Sequence, residues 1–233
     1  MKEKLAKKIL LQTVNDYDKI ARKFSDTRNY LSADIRFMQK WTKKGGKILD
    51  LGCGNGRLSE LFPKHNYNYI GTDPSQKLIQ IAKSRYPNQR FKVSAPLSLS
   101  FSNDFFDTIY CLAVLHHIPS EKYRLRFVNQ IYKTLKKNGT CIITVWDIRK
   151  HLSISNQILK NNVLKMINIS NLDFNDAYYP FKDSSGNIII QRYLHGFTPN
   201  ELKNLFIKSK FKILDSGTLY RGKHQNLYIV AKK

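Results

Sequence analysis

The stretch KILDLGCGNG, residues 47–56, decides the fold of this chain. An apolar, strand-like run contains Asp50 and leads directly into Gly52, Gly54 and Gly56. Glycines let the backbone approach a ligand closely, and the helix start that follows them presents free N–H groups. A dinucleotide-binding loop would have the spacing G-x-G-x-x-G, whereas this loop has G-x-G-x-G. An ordinary tight turn also carries glycines, so the surrounding sequence has to decide between the two interpretations.

Strand-like and helical patterns alternate outward from this loop. YNYIGTD (67–73) predicts a second strand, and it ends at Asp73, where an acidic residue would grip ribose hydroxyls. Further strands are predicted at 90–94, 105–115 and 139–146. This alternation predicts an α/β fold with a doubly wound, mostly parallel sheet, and in that context a ligand-binding loop is the better interpretation.

The chain is predicted to form a single domain over residues 1–233. Its predicted parts are an N-terminal helical cap at 1–44, a cofactor-binding core at 45–147, an insertion or lid at 148–198, and a helix with a strand pair at 199–233. The insertion is assigned because the alternation is lost there, and Thr198 is predicted to cap the helix that follows.

The charge of the chain favours a partner rich in phosphate. There are 40 Lys plus Arg against 17 Asp plus Glu, a formal net charge of +23. Such an excess attracts and steers nucleic acid. A genomic bias toward Lys, Asn and Ile is the alternative explanation, and charge alone does not decide between them.

Other composition features bound the class of protein. Cys53, Cys111 and Cys141 lie far apart without metal-type pairing, so no metal site is predicted and reduced thiols are expected. The longest apolar run, 109–115, is too short to span a membrane, and the first residues lack the apolar core of a secretory signal. We therefore expect a cytoplasmic protein with no membrane partner.

The glycine loop with its two acids resembles the class I S-adenosylmethionine-dependent methyltransferases, over roughly residues 47–147. The resemblance implies a Rossmann-like fold, a seven-stranded sheet with an antiparallel last strand, and S-adenosyl-L-methionine as cofactor. The cofactor-binding residues that it implies are Asp50, Gly52, Cys53, Gly54, Asn55, Gly56, Asp73, Pro74, Ala95, Pro96, Leu97 and Ala113.

One position departs from that family. An acidic residue often follows the third strand and lies near the adenine amino group, but Ala95 and Pro96 stand there. Alanine has no carboxylate, and proline has no backbone N–H. Leu97 or Ser94 would then have to contact the adenine.

Three further stretches resemble one branch of the family. They are YDKIARKFSDTRNY (17–30), LAVLHHI (112–118) and YYPFKDSSGNIIIQRYLHGF (178–197). Together with Val145-Trp146 they resemble the tRNA methyltransferases that esterify the carboxymethyl group of the wobble uridine, which forms 5-methoxycarbonylmethyluridine. The resemblance implies tRNA as a partner, together with a small zinc-binding activator subunit shared among tRNA methyltransferases.

The chemistry of that reaction constrains the roles of the residues. A carboxylate nucleophile is already deprotonated at neutral pH, so it needs no general base. A strong cationic grip on it would stabilise the substrate more than the transition state. His116 and Tyr17 are therefore predicted to position the substrate, whereas His117 is predicted to point away and support its loop. The predicted substrate or tRNA contacts are Arg28, Trp146, Arg192, Tyr193 and His195. For Arg28 and Arg192, the carboxylate of the cofactor stays open as the alternative partner.

Simpler roles stay open for several of these residues. Tyr17 suits core packing at helical spacing, and Trp146 suits packing at the end of the sheet. Two other functions also stay open. A small-molecule methyltransferase, for example of the quinone type, is disfavoured by the charge and by the R-Y-x-H segment at 192–195. A non-catalytic RNA-binding module is disfavoured by the intact glycine loop and Asp73.

Overall fold

The computed structural model describes residues 1–28, 30–31, 33–221 and 224–233. The strands in these ranges are β1 (Lys47–Leu51), β2 (Asn68–Asp73), β3 (Arg90–Val93), β4 (Phe106–Leu112), β5 (Leu135–Trp146), β6 (Asp176–Lys182), β7 (Ile188–His195), β8 (Lys212–Arg221) and β9 (His224–Lys232). The α-helices are α1 (Glu3–Asp26), α2 (Ala33–Phe37), α3 (Gln76–Arg85), α4 (Glu121–Thr134), α5 (Leu152–Met166) and α6 (Pro199–Lys208).

The main sheet has seven strands in the order β3-β2-β1-β4-β5-β9-β8. The neighbours from β3 to β5 pair in parallel, whereas β9 runs antiparallel to both β5 and β8. The strand order reverses between β1 and β4, which is where ligands bind in open α/β sheets. This topology confirms the predicted fold, including the antiparallel last strand.

The central strands are buried on both faces. Successive side chains point to opposite sides of a strand, so Leu49 and Ile109 join one apolar core while Ile48 and Tyr110 join the other. All four are 0% exposed. Continuous apolar runs such as residues 47–51 are therefore what a sheet covered by helices on both faces requires.

Two predicted elements end differently in the structure. The glycine loop leads into a short 3-10 turn at Arg57–Leu61 rather than an extended helix. The sequence predicts a basic amphipathic helix over 120–136 that stops at Asn138-Gly139. Helix α4 instead ends at Thr134, because Leu135 already pairs with Phe106 at the beginning of the longer strand β5. The predicted cap of α6 is confirmed, since Thr198 Oγ1 accepts the Glu201 N–H at 3.0 Å.

The insertion is more regular than the sequence indicates. It contains α5 and an antiparallel hairpin of β6 and β7, which forms a separate two-stranded sheet. An apolar cluster joins these elements to the end of β5, and its buried members are Ile148, Ile154, Ile158, Ala177 and Leu194. The hairpin contacts α1, so the insertion closes over the same end of the sheet as the N-terminal helix.

The division of the chain at residues 44, 147 and 198 stays a prediction. None of the helices in the described ranges is long and apolar enough to cross a membrane.

Candidate active site

A cavity of about 1370 Å³ lies at the carboxyl ends of β1, β2, β4 and β5. Tyr17 and Phe24 of α1 form one wall, and Tyr179, Phe181 and Arg192 of the insertion form another. The predicted cofactor residues that line it are Asp50, Gly52, Cys53, Gly54, Asn55, Asp73, Pro74, Ala95, Pro96 and Ala113. A loop at each strand end thus brings together side chains that are distant in sequence.

Two predicted cofactor residues lie outside the cavity lining. Gly56 sits under the loop, where an added Cβ would come within 2.7 Å of the Phe91 ring. Leu97 packs against the main apolar core instead of facing the cavity. Ser94, the other residue considered for adenine, does line the cavity. The assignments of Gly56 and Leu97 as direct contacts are therefore corrected, and Gly56 acts through the turn.

The first glycine of the loop is required by its conformation and by its neighbour. Gly52 has a φ of +80°, and a Cβ there would lie 2.2 Å from Val114 Cγ2. Its N–H and that of Cys53 donate to the carbonyl of Thr72, at 2.7 and 3.0 Å. These bonds tie the loop after β1 to β2, so the loop is held next to Asp73.

Asp73 is fixed by backbone donors from both sides. Gly54 N–H donates to Oδ2 and Ser75 N–H donates to Oδ1, each at 2.9 Å. A carboxylate has about four acceptor sites, so each oxygen keeps capacity for a further donor. Burial raises the pKa of Asp73 to about 6, although these two N–H groups oppose the shift.

Asp50 is a second buried carboxyl group at the same end of the sheet. It is 2% exposed, and it accepts the Tyr69 hydroxyl at 2.7 Å. Burial and, to a smaller extent, the neighbouring Asp73 raise the pKa of Asp50 to about 7, although the Tyr69 hydrogen bond opposes the shift. Two carboxyl groups that are costly to ionise therefore face one cavity, and a cationic ligand would relieve that cost.

Asn55 anchors the glycine loop to the end of α1. Its amide Nδ2 donates to Ser25 Oγ and to the Arg28 carbonyl, both at 3.1 Å. The Arg28 guanidinium lies over the Phe24 ring at 4.0 Å and donates to Thr27 Oγ1 at 2.8 Å. The segment before the sheet thereby places Arg28 on the cavity wall.

Of the adjacent histidines, it is His117 that lines the cavity. Its Nδ1 lies 3.0 Å from the Tyr193 carbonyl, which only accepts, so Nδ1 carries the proton. Nε2 is then the acceptor for the Tyr17 hydroxyl, at 2.8 Å. Burial lowers the pKa of His117 to about 3, so the ring is neutral. The prediction that His117 points away and merely supports its loop is wrong.

His116 lies behind the cavity wall. It is 0% exposed, and its ring stacks on Trp146 with centroids 4.9 Å apart. Its Nδ1 accepts the Trp146 backbone N–H at 3.3 Å, and Nε2 has no hydrogen-bond partner among the described residues. Burial lowers the pKa of His116 well below its ordinary value. His116 therefore supports Trp146 and does not reach the cavity, which corrects its predicted direct contact.

Arg192 projects into an aromatic enclosure on the cavity wall. Its guanidinium carbon lies 5.2 Å from the Trp146 ring and 5.3 Å from the rings of Tyr179 and Phe181. Arg192 is only 5% exposed, and its Nε and Nη1 have no hydrogen-bond partner within the described part of the chain. Ring faces attract the cation, but they provide no acceptor for these two donors.

Tyr193 and His195 lie on the opposite face of the hairpin from Arg192. Tyr193 and His195 both bond to Asp176 Oδ1, at 2.7 and 2.8 Å, and His195 Nε2 contacts Glu201 at 2.7 Å. Both residues are buried away from the cavity. The predicted substrate contacts of Tyr193 and His195 are therefore corrected to a structural network that joins the hairpin to α6.

The sequence prediction overlooked Tyr179 and Phe181 as wall residues. Both lie on β6 two positions apart, and Tyr179 stands opposite Arg192 in the hairpin register. A period of two in YYPFK (178–182) was the available signal, because alternate strand residues share a face. The same rule separates Arg192 from its neighbour Tyr193.

The Methyltransferase domain family matches residues 20–216, which is most of the chain. The chain belongs to this family. A methyltransferase from Schizosaccharomyces pombe named tRNA (carboxymethyluridine(34)-5-O)-methyltransferase is 30% identical over 223 residues, which cover 93% of this chain and 94% of that protein. Several other relatives with this name are longer, and the chain spans less than half of their length.

Solved structures show the same methyltransferase fold. An S-adenosylmethionine-dependent methyltransferase from Methanosarcina mazei has a TM-score of 0.70 at 22% identity, with 87% of this chain and 98% of that one covered. A Haloferax volcanii methyltransferase, solved in complex with the Trm112 methyltransferase activator, has a TM-score of 0.66 at 13% identity over 94% and 96% of the two chains.

The methyltransferase uses S-adenosyl-L-methionine, and the cavity fits that cofactor. The buried carboxyl groups of Asp50 and Asp73 suit a ligand that carries positive sulfonium and ammonium groups. Asp73 keeps acceptor capacity for ribose hydroxyls, and the glycine loop presents backbone without side chains. When bound, the cofactor supplies an electrophilic methyl group. In the described ranges, no group of three or more His, Cys, Asp or Glu side chains is placed to hold a metal ion.

Proposed function

We propose that the protein transfers the methyl group of S-adenosylmethionine to the carboxylate of a 5-carboxymethyl group on the wobble uridine of tRNA, which forms the methyl ester. The relative from Schizosaccharomyces pombe, similar over 93% of the chain, bears the name of this reaction. The geometry that carries the proposal is the arrangement of the two histidines, whose acceptor nitrogens are already occupied by the Tyr17 hydroxyl and the Trp146 N–H.

Neither histidine is equipped to remove a proton from a nucleophile. The one free lone pair of His117, on Nε2, already accepts the Tyr17 hydroxyl. His116 is buried behind Trp146, and burial holds the pKa values of both rings far below neutrality. A hydroxyl or ring-nitrogen nucleophile would need a base here, whereas a carboxylate arrives deprotonated.

The cofactor end and the insertion end of the cavity divide the remaining work. Asp50, Asp73 and the glycine loop would hold the cofactor, and Arg28 supplies a cation nearby. Trp146, Tyr179 and Phe181 offer ring faces on which a pyrimidine base stacks. The insertion contacts α1 beside the cavity, and shielding from water there would favour a reaction in which opposite charges partly cancel.

The proposed substrate also accounts for the strong positive charge. With a formal net charge of +23, the surface attracts the tRNA backbone without choosing a sequence. We expect the dissociation constant for tRNA to rise steeply between 50 and 200 mM salt, on the order of 1000-fold for about six phosphate contacts. An affinity that hardly changes would show that the basic surface does not bind the backbone.

The decisive experiment is methyl transfer from labelled cofactor to two tRNAs, one with 5-carboxymethyluridine at the wobble position and one unmodified. We expect label only in the first, and we expect mild alkali to release it as methanol, because only an ester is hydrolysed under those conditions. Alkali-stable label would indicate methylation of a ring atom or hydroxyl. Equal labelling of both tRNAs would exclude the proposed specificity, and labelling of a quinol alone would favour the small-molecule alternative.

We also propose that a small zinc-binding activator subunit assists the enzyme. The support is the Haloferax volcanii complex, in which a methyltransferase of the same fold is bound to the Trm112 activator. Co-expression with such a subunit should raise the specific activity and the melting temperature of this chain. Identical values with and without the subunit would argue that the chain acts alone.

A further inference from the structure

The Arg192 guanidinium is a buried cation whose hydrogen-bond donors are only partly satisfied. It is 5% exposed, yet Nε and Nη1 have no acceptor among the described residues. Buried charges are normally paired, because removing a charge from water without a partner is costly. The structure therefore holds a cation whose counter-charge has to come from a ligand.

Arg192 forms no ion pair with a carboxylate among the described residues. The groups that contact its guanidinium are the neutral rings of Trp146, Tyr179 and Phe181. The Tyr17 phenol also lies close: its burial raises its pKa, while the charge of Arg192 lowers it, so the phenol stays protonated at neutral pH. Because the Tyr17 proton is donated to His117, only the lone pairs of its oxygen face other donors.

The hairpin register aims Arg192 at the cavity. Arg192 stands opposite Tyr179, and alternate residues share a face, so Tyr179, Phe181 and Arg192 form one wall. The opposite face is pinned by the Asp176 and His195 contact at 2.8 Å. The hairpin thus fixes the position of the guanidinium. A mobile surface side chain would not discriminate between two similar ligands, because its position is not fixed.

We propose that Arg192 is the specificity-determining residue that recognises the anionic carboxymethyl group and rejects uridines with neutral 5-substituents. This inference rests on the proposed function and names the group that selects its substrate. The guanidinium presents a planar fork of donors that matches a carboxylate, and the aromatic rings beside it suit the attached base.

The same geometry predicts which kinetic constant Arg192 controls. A cation stabilises the charged carboxylate more than the transition state, in which the charge is partly cancelled. Loss of the cation therefore raises KM, while kcat at saturation stays the same or rises. A residue that merely shaped the site would lower kcat together with kcat/KM.

The experiment measures binding of three anticodon stem-loops, which carry 5-carboxymethyluridine, 5-carbamoylmethyluridine or unmodified uridine at the wobble position. The carbamoyl group has nearly the shape of the acid and no charge. Wild type should bind the acid at least tenfold more tightly than the amide. Arg192→Gln should bind both equally, and Arg192→Lys should recover part of the preference because it keeps the charge without the fork.

Two controls make the outcome specific to this residue. Lys137→Gln removes one positive charge from an exposed position near the amino end of β5, at the end of the sheet opposite the cavity. It should therefore keep the preference for the acid. Calorimetry of Arg192→Gln should show unchanged affinity for S-adenosylmethionine, and thermal unfolding should show a folded protein.

Other outcomes would overturn the inference. Equal weakening of all three stem-loops in Arg192→Gln would assign the residue to a backbone phosphate. Weaker cofactor binding would assign it to the carboxylate of the cofactor. Retained preference for the acid would exclude Arg192 as the selecting group. Failure of the proposed reaction is a separate result, because wild type would then transfer no methyl group even if the binding preference depended on Arg192.

Discussion

The two halves of the cavity are built in contrasting ways. The half that we propose for the cofactor, called the cofactor half, lies at the ends of β1 and β2. Its acceptors Asp50 and Asp73 belong to adjacent parallel strands within 24 residues of sequence. The half that we propose for the substrate, called the substrate half, joins Tyr17, His117 and Arg192, which are far apart in the sequence. The comparison shows that a site built from a loop and two strand ends uses residues close together in the sequence. A site built from side chains of several elements depends on packing between distant parts of the chain.

The first test of this contrast has the largest expected effect. Asp176 is 0% exposed and accepts bonds from Tyr193 and His195. Asp176→Ala should lower the free energy of unfolding by about 3–5 kcal/mol, because the buried His195 ring loses one of its two carboxylate partners and the Tyr193 hydroxyl loses its acceptor. Chemical denaturation measures this loss. Asp183→Ala, at the turn of the same hairpin, is the matched control and should cost much less, because water can replace its bond to the Ser185 N–H.

A second test addresses the cofactor half. Gly52→Ala combines a left-handed φ of +80° with a clash against Val114, so we expect a loss of roughly 2–4 kcal/mol in stability and no measurable cofactor binding. Gly45 has a φ of +69° and nothing within 4 Å of the added Cβ. Gly45→Ala therefore isolates the backbone strain and should cost only about 1–2 kcal/mol. Equal losses in the two variants would mean that the contact with Val114 is unimportant.

A third test uses pH. Burial raises the pKa of Asp50 from 3.8 to about 7, so the folded state resists ionisation that the unfolded chain undergoes. The stability contributed by the protonated group is complete below about pH 4 and is lost as pH rises toward 7. Asp50→Asn, without cofactor, should thus be more stable than wild type by on the order of 2 kcal/mol at pH 7.5. The advantage should vanish at pH 4, and a pH-independent difference would contradict this account.

A fourth test measures the ligand role of Asp73. Asp73→Asn places an amide NH₂ opposite one of the two backbone N–H donors from Gly54 and Ser75, so the side chain is misaligned. Affinity for S-adenosylmethionine by calorimetry should fall roughly tenfold, which corresponds to about 1.4 kcal/mol. Asp107 lies at the amino end of β4, beside Lys47 and at the end of the sheet opposite the cavity, so Asp107→Asn should keep the cofactor affinity.

The smallest expected effect concerns Tyr17. Tyr17→Phe keeps the ring against Phe24 but removes the hydroxyl donor to His117. The loss of one hydrogen bond is worth about 1 kcal/mol, so kcat/KM for tRNA should fall about fivefold. Cofactor affinity should stay unchanged, since Tyr17 belongs to the substrate half. A larger loss of kcat/KM in His116→Asn than in His117→Asn would contradict the arrangement in which His117, and not His116, lines the cavity.

Much of the cofactor half was predictable because its residues lie close together in the sequence. A strand, three glycines and an acid at the next strand end define the loop, and Asp73 receives its donors from Gly54 and Ser75 nearby. The errors there, at Gly56 and Leu97, concern which residues of a correctly located loop face inward. That choice depends on packing against Phe91 and the core.

The substrate half was predicted in part. Tyr17, Arg28, Trp146 and Arg192 were named, and all four line the cavity. The assignment of the two histidines was reversed, because the 3-10 turn at Leu115–His117 replaces the strand geometry assumed for them. In a 3-10 turn, successive side chains do not point to opposite sides as they do along a strand, so strand alternation misplaced the two histidines.

The sequence by itself determined the parallel sheet, the glycine loop and the two acids, because each follows from a local pattern of strand, turn and helix. Only the tertiary structure decided that His117 rather than His116 meets Tyr17, and that Nε and Nη1 of Arg192 are buried among rings with no acceptor in the described ranges. The contacts of His117 join residues 76 and 100 positions apart, and the Arg192 enclosure needs a correctly paired hairpin packed on Trp146. Local propensity carries no information about such contacts.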